Sequence, residues 1–168
     1  AVQLTNPHKD LHMLRFPALC ALFALSPLAS ALELKPLDLY QSGFPAGTEI
    51  VSVQPASMRV IVTNSAEGLV DILKLDPAGK LTRTDRQQLV QGGAGEITSA
   101  TFHPTADVYA VCVRDSDGLK AGSVQIRSGA DGKLLGSVAV GIWPDSLAFS
   151  PNGDFLVVAN EGEAYVRE

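Results

Sequence analysis

The stretch that decides the fold occurs three times: EIVSVQPASMRVIVTN at 49–64, TSATFHPTADVYAVCV at 98–113 and DSLAFSPNGDFLVVAN at 145–160. Each copy contains a short strand, a turn built from proline and small or polar residues, and a second strand rich in β-branched residues. The turn prolines Pro55, Pro104 and Pro151 are separated by 49 and 47 residues. A repeat of this length indicates a fold assembled from copies of one supersecondary unit.

The segments downstream of the first two copies also correspond to each other. LVDILKL at 69–75 matches SVQIRS at 123–128, and DPAGKL at 76–81 matches ADGKLL at 130–135. Four short antiparallel strands in each period, joined by Gly, Pro and Asp turns, are typical of a β-propeller blade. A β-sandwich is the competing all-β fold, but it would not repeat on a four-strand period. The sequence predicts an all-β, incomplete β-propeller of about two and a half four-stranded blades.

The N-terminal part of the chain has the pattern of a secretory signal peptide. Residues 13–31, MLRFPALCALFALSPLASA, carry a charge at Arg15, an apolar run and small residues up to a cleavage point after Ala31. A membrane-spanning helix is the alternative, but the apolar run is shorter than the ~20 residues of a span and contains Pro17 and Pro27. We therefore expect a secreted, periplasmic or cell-surface protein.

The rest of the chain divides into two parts. Residues 1–12 precede the signal peptide as a leader of unknown role, and residues 32–168 form the N-terminal part of the propeller domain. Because propeller rings close with about 4 to 8 blades, we expect the chain to be part of a longer protein. LELKPLDLYQSG at 32–43 is similar to an outermost blade strand and would complete the last blade of the full ring.

Composition restricts the partners and the chemistry. The net charge of −5 disfavours nucleic acid and anionic membrane surfaces as partners.

Cys112 lies in an apolar run, which predicts a buried thiol. His103 lies in a turn that we place at the opposite end of the strands from the acidic residues described below. Trp143 enters the third repeat and either stacks on a ligand or packs between blades.

Two segments resemble a known family. VGIWPDSLAFSPNGDFLVVANEGE at 140–163 resembles the most recognisable segment of the choice-of-anchor I domain family, and TEIVSVQPASMRVIVTNSAEGLVDILKL at 48–75 resembles its opening repeat. The resemblance covers 34–163 and implies an extracytoplasmic propeller of the class that includes YVTN-repeat and lactonase-like propellers. Such domains are often tethered to the cell surface by a C-terminal anchor, which we expect to lie beyond residue 168. Ala164 stands where the family usually has proline.

Acidic and amide side chains gather at one end of the predicted strands. Because neighbouring strands run antiparallel, the residue that starts a first strand shares an end with the residues that finish the second. In a propeller the blades surround a central channel, and this pattern places five residues at one of its openings, or mouths. They are Asp145, Asn160, Glu161, Glu163 and Glu49. Such oxygen ligands suit Ca²⁺ or another divalent cation, whereas solvated acidic turns are the alternative.

Two functions from different classes remain open. The first is a binding or interaction scaffold for an extracellular ligand or protein, without catalysis in this part of the chain and with membrane contact only through an anchor further on. The second is a metal-dependent hydrolase of lactonase or phosphatase type, in which a cation at the acidic mouth activates water or polarises an ester. The sequence favours the first.

Overall fold

The computed structural model describes residues 2–5, 33–45, 47–91 and 95–162. The predicted signal peptide at 13–31 and the predicted ligand Glu163 lie outside these residues. Within them, regular structure is β-strand apart from one short 3-10 turn at Ser65–Glu67. No helix in this part of the chain is long and apolar enough to cross a membrane.

The strands form two four-stranded and two two-stranded antiparallel sheets. The N-terminal two-stranded sheet pairs β1 (Val2–Thr5) with β2 (Glu33–Pro36). Sheet 1 contains β3 (Val51–Gln54), β4 (Arg59–Asn64), β5 (Leu69–Leu75) and β6 (Leu81–Gln88). Sheet 2 contains β7 (Glu96–Phe102), β8 (Val108–Arg114), β9 (Ala121–Ser128) and β10 (Leu134–Ile142). Sheet 3 is the hairpin of β11 (Pro144–Phe149) and β12 (Leu156–Asn160). The predicted all-β architecture, with four antiparallel strands per repeat, is confirmed.

Each sheet packs face to face against the next one along the chain. We call the face of a sheet towards the following sheet its forward face, and the face towards the preceding sheet its backward face. The forward face of sheet 1 and the backward face of sheet 2 share one core cluster, whose members include Ile61, Val70, Ile72, Phe102, Tyr109 and Val111. The forward face of sheet 2 and the backward face of sheet 3 share a second, with members Ala110, Cys112, Val124, Leu147, Phe149 and Val158.

The hairpin turns at the proline end also connect neighbouring sheets. The Gln54 side chain donates hydrogen bonds to the carbonyls of His103, at 2.7 Å, and Ala106, at 3.1 Å. His103 Nδ1 in turn accepts the backbone N–H groups of Thr105 and Ala106, and its ring lies 5.0 Å from that of Phe149 in sheet 3. His103 therefore holds a turn together, at the end of the strands where the sequence placed it.

The segment before the first sheet lies against its backward face. Tyr40 packs on Val60, Val62 and Leu73, and the Asp38 carboxylate accepts the backbone N–H of Leu81 at 2.8 Å. Within 32–43, β2 pairs with β1, so the assignment of this stretch to the last blade of a closed ring stays a prediction.

Candidate functional site

One end of the three sheets collects the starts of the first strands and the ends of the second strands, and we call this end the mouth. Glu96 lies opposite Arg114 in sheet 2, and Pro144 lies opposite Asn160 in sheet 3. In sheet 1 the backbone N–H of Glu49 donates to the Thr63 carbonyl at 3.3 Å. The antiparallel register therefore places Glu49, Asp145, Asn160 and Glu161 at the same end of their sheets, as the repeat indicated.

The mouth ends of sheets 2 and 3 are irregular at equivalent positions. The pairing of β7 with β8 skips Thr98, and the pairing of β11 with β12 skips Asp145, so each sheet has one extra residue there. Thr98 Oγ1 donates to the Pro144 carbonyl at 2.5 Å and so connects the two sheets. Such bulges bend a strand and change the direction of a side chain, and they are common at strand ends next to binding sites.

A charged and aromatic cluster occupies the mouth between sheets 2 and 3. Arg114 Nη2 forms an ion pair with Glu96 Oε2, and the guanidinium carbon lies 4.3 Å from the centroid of the Trp143 ring. Trp143 Nε1 donates to the Gly118 carbonyl at 2.9 Å. Trp143 also has a φ of 54°, a left-handed conformation that is costly for a bulky residue and persists only where neighbours enforce it. The sequence left open whether Trp143 stacks on a ligand or packs between blades. The contacts described for its ring are with the Arg114 guanidinium and the Gly118 carbonyl.

The mouth of sheet 1 is held by its own side chains. The Ser65 hydroxyl donates to Glu49 Oε2 at 2.6 Å, and the Thr63 hydroxyl accepts the backbone N–H of Ile50 at 3.1 Å. Glu49 is therefore turned towards the 3-10 turn that follows β4. Its carboxylate has a neutral donor from its own sheet.

The residues predicted to bind a metal are distributed over two sheets. Asp145, Asn160 and Glu161 share the mouth end of sheet 3, where the backbone N–H of Glu161 donates to the Trp143 carbonyl at 2.8 Å. Glu49 belongs to sheet 1, and Glu163 lies outside the described residues. In the described part of the chain, no group of three or more His, Cys, Asp or Glu side chains is arranged to hold a metal ion. The cation site stays a prediction.

A buried ionic cluster that the sequence analysis did not predict lies on the backward face of sheet 1. Asp71 is fully buried and accepts hydrogen bonds from Arg86 Nε at 2.6 Å, the Tyr40 hydroxyl at 2.8 Å and the Asn64 amide at 2.9 Å. Burial is the largest single influence on Asp71 and opposes its ionisation, but the hydrogen bonds from Arg86, Tyr40 and Asn64 outweigh it and lower the pKa of its carboxyl. Arg86 also donates to the Ser42 carbonyl at 2.8 Å, so the cluster fixes the segment that precedes sheet 1.

Cys112 is confirmed as a buried, unpaired thiol. Burial, with a smaller contribution from the nearby Asp145 carboxylate, raises the pKa of the thiol to about 12. The thiol is therefore protonated at neutral pH and packs as a small apolar side chain between sheets 2 and 3.

Comparison with solved structures identifies the class of fold. A putative 6-phosphogluconolactonase from Bacteroides uniformis matches with a TM-score of 0.60 and 19% identity, over 80% of this chain and 38% of that one. One from Bacteroides fragilis matches with a TM-score of 0.56 and 22% identity, over 68% and 32%. The periplasmic gluconolactonase of Pseudomonas aeruginosa matches with a TM-score of 0.52 and 22% identity, over 69% and 33%. The chain thus has a lactonase-type β-propeller fold, and its matched part spans about a third of each of these structures.

The sequence itself identifies the family. Residues 49–168 match the model of the choice-of-anchor I domain, so the chain belongs to that family. Membership indicates an extracellular or surface protein. The comparison with curated proteins found no match.

Proposed function

We propose that the chain is part of a secreted or cell-surface β-propeller that acts as a binding scaffold and takes an extracellular ligand at its mouth. The observation that carries this proposal is the cluster of Glu96, Arg114 and Trp143. Each of these side chains is held by a protein partner, so little conformational freedom is lost when a ligand binds there.

The charges at the mouth indicate the kind of ligand. Glu49, Glu96, Asp145 and Glu161 all lie at this end, and the Arg114 guanidinium is paired with one of them. A surface with an excess of carboxylates attracts cationic ligands and repels anionic ones. We therefore expect basic peptide segments to bind better than neutral oligosaccharides.

Trp143 is the only tryptophan of the chain, so its fluorescence reports on the mouth. We would titrate the protein with a lysine-rich peptide, an acidic peptide of the same length and a neutral oligosaccharide. A salt-sensitive fluorescence change with the lysine-rich peptide alone is expected. The control is Asp154→Asn, an exposed residue of the proline-end turn of sheet 3, which should leave the titration unchanged, whereas Asp145→Asn with Glu161→Gln should weaken it. Equal titrations for the parent and both variants would contradict binding at the mouth.

A metal-dependent hydrolase acting on a lactone is the second candidate. Lactonase names among the similar folds and the position of Asp145, Asn160 and Glu161 at one end of sheet 3 favour it. Those oxygens would hold a hard cation such as Ca²⁺, and a bound cation polarises a carbonyl or acidifies a water molecule. Calorimetric titration with Ca²⁺ and hydrolysis of gluconolactone with and without chelator test this candidate. It is wrong if the protein neither binds Ca²⁺ nor accelerates hydrolysis above the buffer rate.

A further inference from the structure

The position that the buried ionic cluster takes in sheet 1 carries neutral side chains in sheet 2. In sheet 1, Asp71 of β5 lies opposite Arg86 of β6. In sheet 2, Gln125 of β9 lies opposite Ser137 of β10. The third strands align as LVDILKL with SVQIRS, which makes Gln125 the repeat equivalent of Asp71. Ser137 then takes the place of Arg86, so an amide and a hydroxyl stand where sheet 1 has an ion pair.

A cavity lies over these neutral residues, at the mouth end of the backward face of sheet 2. Its volume is about 380 Å³, and four of its wall residues belong to β9 and β10: Ser123, Gln125, Ser137 and Ala139. Their repeat equivalents in sheet 1 are Leu69, Asp71, Arg86 and Gln88. In sheet 1 the long side chain of Arg86 extends across this space to Asp71. Serine and alanine in place of arginine and glutamine leave the corresponding space open in sheet 2.

The Gln125 amide is held in one orientation by Arg127. Arg127 Nε and Nη2 both donate to Gln125 Oε1, at 2.9 Å and 2.5 Å, and Arg127 is itself bonded to two backbone carbonyls. Because a guanidinium carries donors only, the amide oxygen faces Arg127 and the amide NH2 group is left for another acceptor. In the described part of the chain, this NH2 group and the hydroxyls of Ser123 and Ser137 have no hydrogen-bond partner. The cavity therefore offers three hydrogen-bonding groups to a ligand, one of them oriented in advance.

The charges beside the cavity favour a neutral ligand. Arg127 is buried and forms no ion pair with any residue that the structure describes, so its charge opposes the binding of a cation next to Gln125. Asp115, which also lines the cavity, opposes the binding of an anion. The groups that remain are one amide donor and two hydroxyls. A hydroxyl-bearing ligand matches them, because each of its hydroxyls both donates and accepts.

We propose that this cavity binds a neutral polyhydroxylated ligand of the size of one sugar ring. Its volume is near the low end of the ~300–1,000 Å³ of small-ligand sites. Val113 gives it an apolar wall against which the C–H groups of a ring can pack. It lies on the side of sheet 2 that packs against sheet 1, and both of these sheets have four strands. The proposal goes beyond binding at the mouth and does not depend on it, since other side chains carry it.

Saturation-transfer NMR with the 168-residue chain tests the proposal with sugars of one ring size and different charge. The probes are the neutral sugars glucose, galactose and mannose, the anion glucuronate and the cation glucosamine. Ser123→Leu places the sheet 1 residue in sheet 2 and fills the cavity, and Ser137→Ala removes one hydroxyl at an exposed position. Ser146→Ala is the matched control, because Ser146 is an exposed serine of β11 outside the cavity. Circular dichroism measures whether each variant keeps its strands.

At least one neutral sugar should bind, and glucuronate and glucosamine should bind more weakly than it does. Ser123→Leu should abolish binding of that sugar, Ser137→Ala should weaken it about 2–10-fold, and Ser146→Ala should leave it unchanged. Asp145→Asn with Glu161→Gln, which alters the mouth, should also leave it unchanged.

The proposal is overturned if no neutral sugar binds, if a charged sugar binds more tightly, or if Ser137→Ala binds as Ser146→Ala does. Loss of sugar binding in the mouth double variant would place the ligand at the mouth and would overturn it as well. If Ser123→Leu loses its strands, the comparison of the two alanine variants decides.

Discussion

Replacing the buried carboxylate Asp71 by asparagine should destabilise the chain more than any exposed charge change. Asp71 accepts four hydrogen bonds, two from Arg86 and one each from Tyr40 and Asn64, and its side chain is fully buried. An amide has one acceptor oxygen, so Asp71→Asn leaves donors unsatisfied and the Arg86 guanidinium without a counter-charge. Breaking a buried pair costs about 3–5 kcal/mol, and because 29% of the Arg86 side chain is exposed we expect the low end, about 3 kcal/mol.

Urea unfolding followed by circular dichroism measures this loss, and thermal unfolding should show a decrease of about 6–12 °C. Asp85→Asn is the matched control, because Asp85 is an exposed residue on the neighbouring strand. Its carboxylate accepts the backbone N–H of Arg86 and the amide of Gln87, so the same substitution there should lower the free energy of unfolding by about 1 kcal/mol or less. Tyr40→Phe, which removes one hydroxyl donor and keeps the ring, should cost about 1 kcal/mol. The reasoning is refuted if Asp71→Asn and Asp85→Asn have the same stability.

The same cluster predicts the direction of the acid response. The pKa of Asp71 is lowered in the folded state relative to the unfolded chain, whose value is about 3.9. The stabilisation is thus fully present above the unfolded value and is lost as the pH falls from there towards the folded one. The free energy of unfolding of the parent should fall more steeply below about pH 4 than that of Asp71→Asn, and parallel acid profiles would contradict this.

Two further predictions concern the proline-end turn and the buried thiol. A Cβ at Gly153, where φ is +81°, would lie 2.2 Å from His103 Nε2, so Gly153→Ala should lower the free energy of unfolding by about 1–3 kcal/mol. A Cβ at Gly136 would meet nothing within 4 Å, so Gly136→Ala is the control and should not lower it. Equal free energies of unfolding for the two variants in urea titrations would contradict the contact with His103. In a Cys20→Ala background, Cys112 should react with a thiol reagent slowly at pH 8 and rapidly in urea, and fast native labelling would show that the junction of sheets 2 and 3 opens.

The repeat predicted the strands well because two independent signals agree in each copy. Turn residues such as Pro104 and Pro151 mark where a chain must reverse, and β-branched runs such as VIVTN mark what lies between the turns. The observed hairpins are β3–β4, β7–β8 and β11–β12, each with its turn at the predicted proline. Local signals of this kind do not depend on how the sheets pack.

Asp71 was missed because the signal for its role is not local. The stretch LVDILKL has the composition of an apolar strand with one acidic residue, which is as compatible with an exposed position as with a buried one. Only the pairing of β5 with β6 shows that Arg86 lies directly opposite Asp71. The third partner, Tyr40, comes from a segment 31 residues earlier that folds back over the sheet. A pairing of opposite charges across a predicted hairpin is the one feature that could have found the ion pair.

At the mouth, the sequence predicts where the acidic residues lie along the strands but not the direction in which their side chains point. The repeat places Glu49 and Asp145 at equivalent ends of sheets 1 and 3, and the antiparallel register bears this out. The direction of each side chain is set by its neighbours, since Glu49 accepts the Ser65 hydroxyl and Glu96 pairs with Arg114. A cationic chain lying across the mouth would use the charge of Glu49 and Glu96 without displacing the Ser65 hydroxyl or the Arg114 guanidinium. For this reason we propose a scaffold for a basic partner ahead of a site for a single bound ion.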